Sequence, residues 1–108
     1  MITIENKSSE LKIITVQGEL DAEVAVEVKD QFEDIAQDGT DNVVMDLTET
    51  EFLDSSGIGA IVFLFKRLNA QGRSLHLHGL TGQPKELIEM LRIDKAIPVS
   101  QRLDRIAS

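Results

Sequence analysis

Positions 2–6 alternate apolar and polar residues, and positions 11–17 are rich in β-formers, with Leu11, Ile13 and Thr15 on one face and Ile14 and Val16 on the other. A period of two is the mark of a strand. Asn6-Lys7-Ser8-Ser9-Glu10 between the two runs has the composition of a turn, so an N-terminal β-hairpin is predicted. Gly18-Glu19-Leu20-Asp21 then reads as a break. Val24, Ala25, Val28, Phe32, Ile35 and Ala36 follow at the spacings of a core-facing helical stripe. Asp21 is the expected N-cap of that helix and Gly39 its stop.

Further along, 43–47 is a short and mostly apolar run of the kind found in an interior strand. The apolar run 58–68 predicts a second helix ending near Gly72, and 74–78 the next strand. Positions 83–92 carry Leu87, Ile88 and Leu91 at helical spacing, with Pro84 suited to the first turn. A short strand over 96–99 and a short final helix over 101–107 complete the pattern. The order is β-β-α-β-α-β-α-β-α. It predicts an α/β fold: one mixed β-sheet, an N-terminal hairpin followed by β-α units, with helices packed against it.

Composition narrows the function more than the fold. A chain of 108 residues with 42% hydrophobic positions has room for one domain, spanning 1–108, and enough apolar content for a core. No cysteine is present, so disulfides and Cys-based metal sites are excluded. Met1-Ile2-Thr3-Ile4-Glu5 has neither the charged nor the apolar region of a signal peptide, and no apolar run could span a bilayer. A cytoplasmic setting without membrane insertion is expected. Nineteen acidic against 11 basic residues give a formal charge of −8, and Lys66-Arg67 is only a pair of cations. Nucleic acid and anionic lipid would repel such a chain. The expected partner is a protein.

The candidate chemistry lies in Phe52-Leu53-Asp54-Ser55-Ser56-Gly57-Ile58-Gly59. A carboxylate and two hydroxyls stand just before an apolar helical run, where the unpaired N–H groups of a first turn need acceptors. The same place suits a phosphate, because exposed N–H groups and the helix dipole favour negative charge. At 100° per residue Ile58, Ile61, Val62, Phe65 and Leu68 form the arc expected to face the sheet. Gly59, Phe63, Lys66 and Arg67 fall opposite, as an expected partner surface beginning at Ile58. Gly57 and Gly59 each weaken a helix by about 1 kcal/mol relative to Ala, a cost that close approach of another backbone would justify.

These residues resemble a known family. Asp54-Ser55-Ser56-Gly57-Ile58-Gly59, preceded by Val44-Met45-Asp46-Leu47, is similar to the STAS domain of bacterial anti-sigma factor antagonists. Gly18-Glu19-Leu20-Asp21 matches that family's first strand-to-helix junction, and Leu87-Ile88-Glu89-Met90-Leu91-Arg92-Ile93-Asp94 its third helix and following turn. The resemblance covers essentially the whole chain. It implies that Ser55 is the phosphoacceptor, set among Asp21, Asp54, Ser56, Gly57 and Gly59; Ser56 is the expected cap because its hydroxyl oxygen can accept from first-turn N–H groups. It also implies a partner-switching regulator. A GHKL-type serine kinase that doubles as anti-sigma factor would phosphorylate it, and a PP2C-type phosphatase using Mn²⁺ or Mg²⁺ would reverse this. No cofactor is implied for the chain itself. Phe63 departs from the smaller or aliphatic residue expected there in some relatives, which bears on the identity of the partner and not on the switch.

Other functions fit less well. Hydrolysis needs a base beside the serine, but His76 and His78 lie on a predicted strand and no Gly-x-Ser-x-Gly elbow is present. Those two histidines share one strand face, yet two ligands do not complete a zinc site. No Gly-x-x-x-x-Gly-Lys supports nucleotide binding, and the acidic pair and late lysine of a phospho-receiver are missing. The rival is a STAS module serving an ABC transporter or the control of biofilm or polysaccharide output.

Overall fold

The computed structural model describes residues 1–39 and 41–100. The hairpin is formed by β1 (Ile2–Asn6) and β2 (Leu11–Val16), paired antiparallel with Ile4 opposite Ile14. Beyond it, β4 (Asn42–Asp46), β6 (Leu75–His78) and β7 (Val99–Ser100) each join in parallel, giving a five-stranded mixed sheet of order β1-β2-β4-β6-β7. The helices are α1 (Ala22–Gln37), α2 (Ser55–Asn69) and α3 (Gly82–Met90). The expected final helix over 101–107 lies outside the described residues.

The core is built from alternate strand residues and the apolar stripes of the helices. Ile14, Val16, Val43, Met45, Leu75 and Leu77 meet Val28, Phe32, Ile35, Ile61, Leu64 and Leu68, all buried. On the other sheet face Ile13, Val44 and His76 are neighbours in register, with Asp46 and His78 one step along. Both imidazoles are half-buried. Arg73, 5% exposed, ties the strand starts to the end of α1: its Nε donates to the Asp41 carbonyl at 2.7 Å and its Nη2 lies 3.8 Å from the Asp41 carboxylate.

Two strands were not expected. Gly18–Leu20, read as a break, is β3, and Thr50–Leu53 is β5; they pair in parallel as a separate two-stranded ribbon. Gly18 makes the kink out of β2 with φ +85°, a conformation open to glycine and strained for other residues. Thr50 anchors the ribbon by donating its hydroxyl to the Val16 carbonyl at 2.8 Å in a buried position. The outer edge of β5 is met by a side chain from α3. The Gln83 amide accepts from Leu53 N–H at 2.9 Å and donates to the Leu53 carbonyl at 2.8 Å. After α3, the expected helical stretch to position 92 gives way to a 3₁₀ turn, Ile93–Lys95, entered through Arg92 at φ +59°.

Candidate functional site

The ribbon decides where the site lies. Because β3 and β5 are parallel neighbours, α1 and α2, which follow them, begin side by side and run in the same direction. Asp54 holds the two starts together. Its backbone is extended (φ −116°, ψ −173°), and its Oδ1 accepts from Gly57 N–H at 2.9 Å, capping α2. Its Oδ2 accepts from Ala22 N–H at 3.1 Å, in the first turn of α1. Asp21 caps α1 as expected, accepting from Val24 N–H at 3.1 Å. At the far ends Arg67 lies 3.6 Å from Glu33, and the Gln71 amide donates to the Ala36 carbonyl.

The cap is therefore Asp54 and not Ser56. A carboxylate has two oxygens, so one residue can serve both helices, which a single hydroxyl cannot do with the same reach. Ser55 and Ser56 become the first two residues of α2, both exposed, and neither hydroxyl has a hydrogen-bond partner among the described residues. First-turn amides at such positions lack intrahelical acceptors. An added anion at Ser55 would find them.

Gly57 and Gly59 have different reasons. A Cβ on Gly57 would run into the carbonyl oxygen of Leu20, so the end of β3 passes directly over the start of α2. This is the close backbone approach expected of it. A Cβ on Gly59 would meet nothing within 4 Å. No contact among the described residues calls for that glycine.

The α2 faces need two corrections. Ile58, counted with the partner-facing residues, is 8% exposed and belongs to the core. Phe63, expected opposite the sheet with Gly59 and Lys66, is half-buried, as is Arg67, whose guanidinium lies 5.5 Å from the centroid of its ring. The physical reason is that α2 packs against two things at once, the sheet and the flank of α1. A single arc cannot describe a helix with two contact faces. Leu64, absent from the expected arc, is fully buried, whereas Val62 and Phe65 are only half-buried. Gly59 and Lys66 remain exposed.

Acidic residues surround the serine unevenly. Asp46 accepts from the Thr48 N–H and hydroxyl at 3.0 and 2.6 Å, and Glu49 accepts from the Gln17 amide at 2.9 Å. Both are committed to the turns behind the ribbon. Glu19 and Glu51 are exposed on it. Two apolar residues near the site are exposed, which the sequence reading did not assign to them. Phe52 is 40% exposed three positions before Ser55, and Val26 is 77% exposed on α1. The available signal for Val26 was that it falls off the stripe of Val24, Val28 and Phe32.

Residues 3–106 match the STAS domain family. The chain belongs to that family and, within it, to the anti-sigma factor antagonists. It is 32% identical over 100 residues to the anti-sigma-B factor antagonist of Listeria monocytogenes, covering 91% of this chain and 86% of the relative. The fold is similar to that of an anti-sigma factor antagonist from Mycobacterium paratuberculosis, with TM-score 0.85 and 21% identity over 97% of this chain and 88% of the other. It is similar also to the Bacillus cell fate determinant SpoIIAA in its phosphorylated form, with TM-score 0.78 and 16% identity over 99% and 97% of the two chains. Among the described residues no helix is long and apolar enough to cross a membrane.

Proposed function

We propose that this chain is the phosphorylation-controlled arm of a cytoplasmic partner switch, acting by binding and not by catalysis. Unphosphorylated, it docks an anti-sigma factor that is also a serine kinase of the GHKL ATPase type, through the face around Ser55. That kinase phosphorylates Ser55 and so ends the docking. A PP2C-type phosphatase using Mn²⁺ or Mg²⁺ restores it. One observation carries the reading: Ser55 presents an exposed, unpartnered hydroxyl at a helix start whose capping duty is already met by Asp54. Membership among the anti-sigma factor antagonists supports it, as does likeness in fold to a relative known in a phosphorylated form.

The energetics favour blockade over refolding. A phosphate adds about −1.5 to −2 charges at neutral pH. At an exposed helix N-terminus that charge is stabilised by roughly 0.3–1 kcal/mol, so the fold tolerates it. Buried unpaired under a docked partner, it costs several kcal/mol, and each ~1.4 kcal/mol is a factor of ten in affinity. The test is to incubate the chain with the kinase and ATP, map the site by mass spectrometry, and titrate wild type and Ser55→Asp calorimetrically. Modification at Ser55 and a loss of affinity of about a hundredfold or more are expected. Stoichiometric phosphate on Ser56 with Ser55 free, or equal affinities for the two forms, would overturn the reading.

A further inference from the structure

Between α1 and α2 runs an apolar groove that the switch at Ser55 does not use. It is open to solvent along one side, holds about 340 Å³, and is lined by Ala22, Ala25, Val26 and Lys29 from α1 and by Ser56, Ala60 and Phe63 from α2, over a floor of Phe32. From Ser56 to Phe63 it covers eight residues of helix, about 10 Å or two turns. The facing walls are alanines, which is why there is room: larger side chains at these positions would close the gap between the helices.

Several features of the groove concern what enters it. It begins at Ser56, the residue next to Ser55, so it continues the proposed docking face without a break. Val26 on its rim is 77% exposed. Gly59 stands beside Ala60 with open space where a side chain would be, although glycine weakens a helix relative to alanine and nothing among the described residues demands it. Small residues on a helix surface let another backbone come close. Charge adds direction. In a chain of net charge −8, Lys29 lines this groove and pairs with no carboxylate among the described residues. Arg67 by contrast is engaged by Glu33 and by the Phe63 ring.

We infer that the α1–α2 groove seats an amphipathic helix of the anti-sigma factor. Two apolar side chains one turn apart lie between the alanines, and a carboxylate on the same helix pairs with Lys29. This is the helix-in-groove mode of recognition, with the apolar side chains as anchors buried in a preformed slot. A small-molecule site buries about 70–90% of its occupant, whereas this groove is open along one side. The inference rests on the reading that the Ser55 face is where the partner docks.

The experiment compares binding of the full-length anti-sigma kinase to wild type, Ser55→Asp, Ala60→Leu, which fills the groove, and Lys29→Glu, an exposed change that cannot disturb the core. Far-UV circular dichroism confirms folding of each. Loss of affinity of about tenfold or more for both Ala60→Leu and Lys29→Glu is expected. So is recovery of Lys29→Glu binding by one Asp→Lys or Glu→Lys change in the kinase. Loss with Ser55→Asp but unchanged affinity for both groove variants would overturn the groove and leave the switch standing. Unchanged affinity for all three would overturn both. If Ala60→Leu misfolds, Lys29→Glu and its charge-reversed rescue decide alone. Light scattering that shows a wild-type dimer dissolved by Lys29→Glu would assign the groove to a second copy of the chain and so overturn the proposal.

Discussion

Adding one methyl group at Gly57 and at Gly59 should change stability in opposite directions, though the residues are two apart on one helix. Ala in place of Gly within a helix gains up to about 1 kcal/mol. At Gly59 nothing opposes that gain, because the new Cβ meets no atom within 4 Å. At Gly57 the same Cβ collides with the Leu20 carbonyl oxygen and crowds the Leu20 side chain. Neither can retreat freely: Leu20 is fully buried, and its carbonyl accepts from Asp54 N–H at 3.4 Å. Overpacking of this kind costs roughly 1–3 kcal/mol. If α2 shifts to relieve it, the Gly57–Asp54 cap bond goes too, at about 1 kcal/mol. The net loss at Gly57 is therefore about 1–3 kcal/mol, and the two variants should differ by about 2–4 kcal/mol. The chain has no Trp and no Tyr, so urea unfolding is best followed by far-UV circular dichroism. A Gly57→Ala variant as stable as wild type would refute the close approach of β3 to α2 as the reason for that glycine.

The carboxylate shared by both helices can be tested by Asp54→Ala, which should cost about 1–2 kcal/mol and speed amide exchange at Ala22 as well as Gly57; faster exchange at Gly57 alone would deny the bridge. Arg73→Met removes a buried cation from Asp41 and should cost about 3–5 kcal/mol in the same unfolding assay, a loss below 1 kcal/mol counting against the pairing.

How much of this was legible in the sequence depended on length and locality. The hairpin and α1 were plain because their periods of two and 3.6 run for several residues over contiguous chain. The β3-β5 ribbon was hidden for the opposite reason. Its strands have three and four residues, contain a Gly and two acids, and pair across about thirty positions of chain. Local pattern cannot reveal a pairing whose partner is elsewhere. The same omission obscured the cap. Without the ribbon, Ala22 and Asp54 are 32 residues apart and unrelated, and Ser56 looks as good a cap as any. Phe63 was misplaced for want of α1 beside it. The motif itself was readable, since a polar cluster before an apolar helical run needs no tertiary context to stand out.

The Gln83 side chain does more than make two hydrogen bonds: it imitates a piece of backbone. A carboxamide carries one acceptor and a donor in the same relation as a peptide group, so against Leu53 it is a decoy strand one residue long. Parallel ribbons with a bare rim invite foreign strands to add on, and this rim ends one residue before the cap of α2. By occupying Leu53 with its own amide, Gln83 fills the backbone groups that an added strand would need there, right next to the proposed switch. Glutamate at position 83 would lose the donor and set a carboxylate against the Leu53 carbonyl, reopening that rim to strand addition while leaving every residue of the proposed phosphorylation site in place.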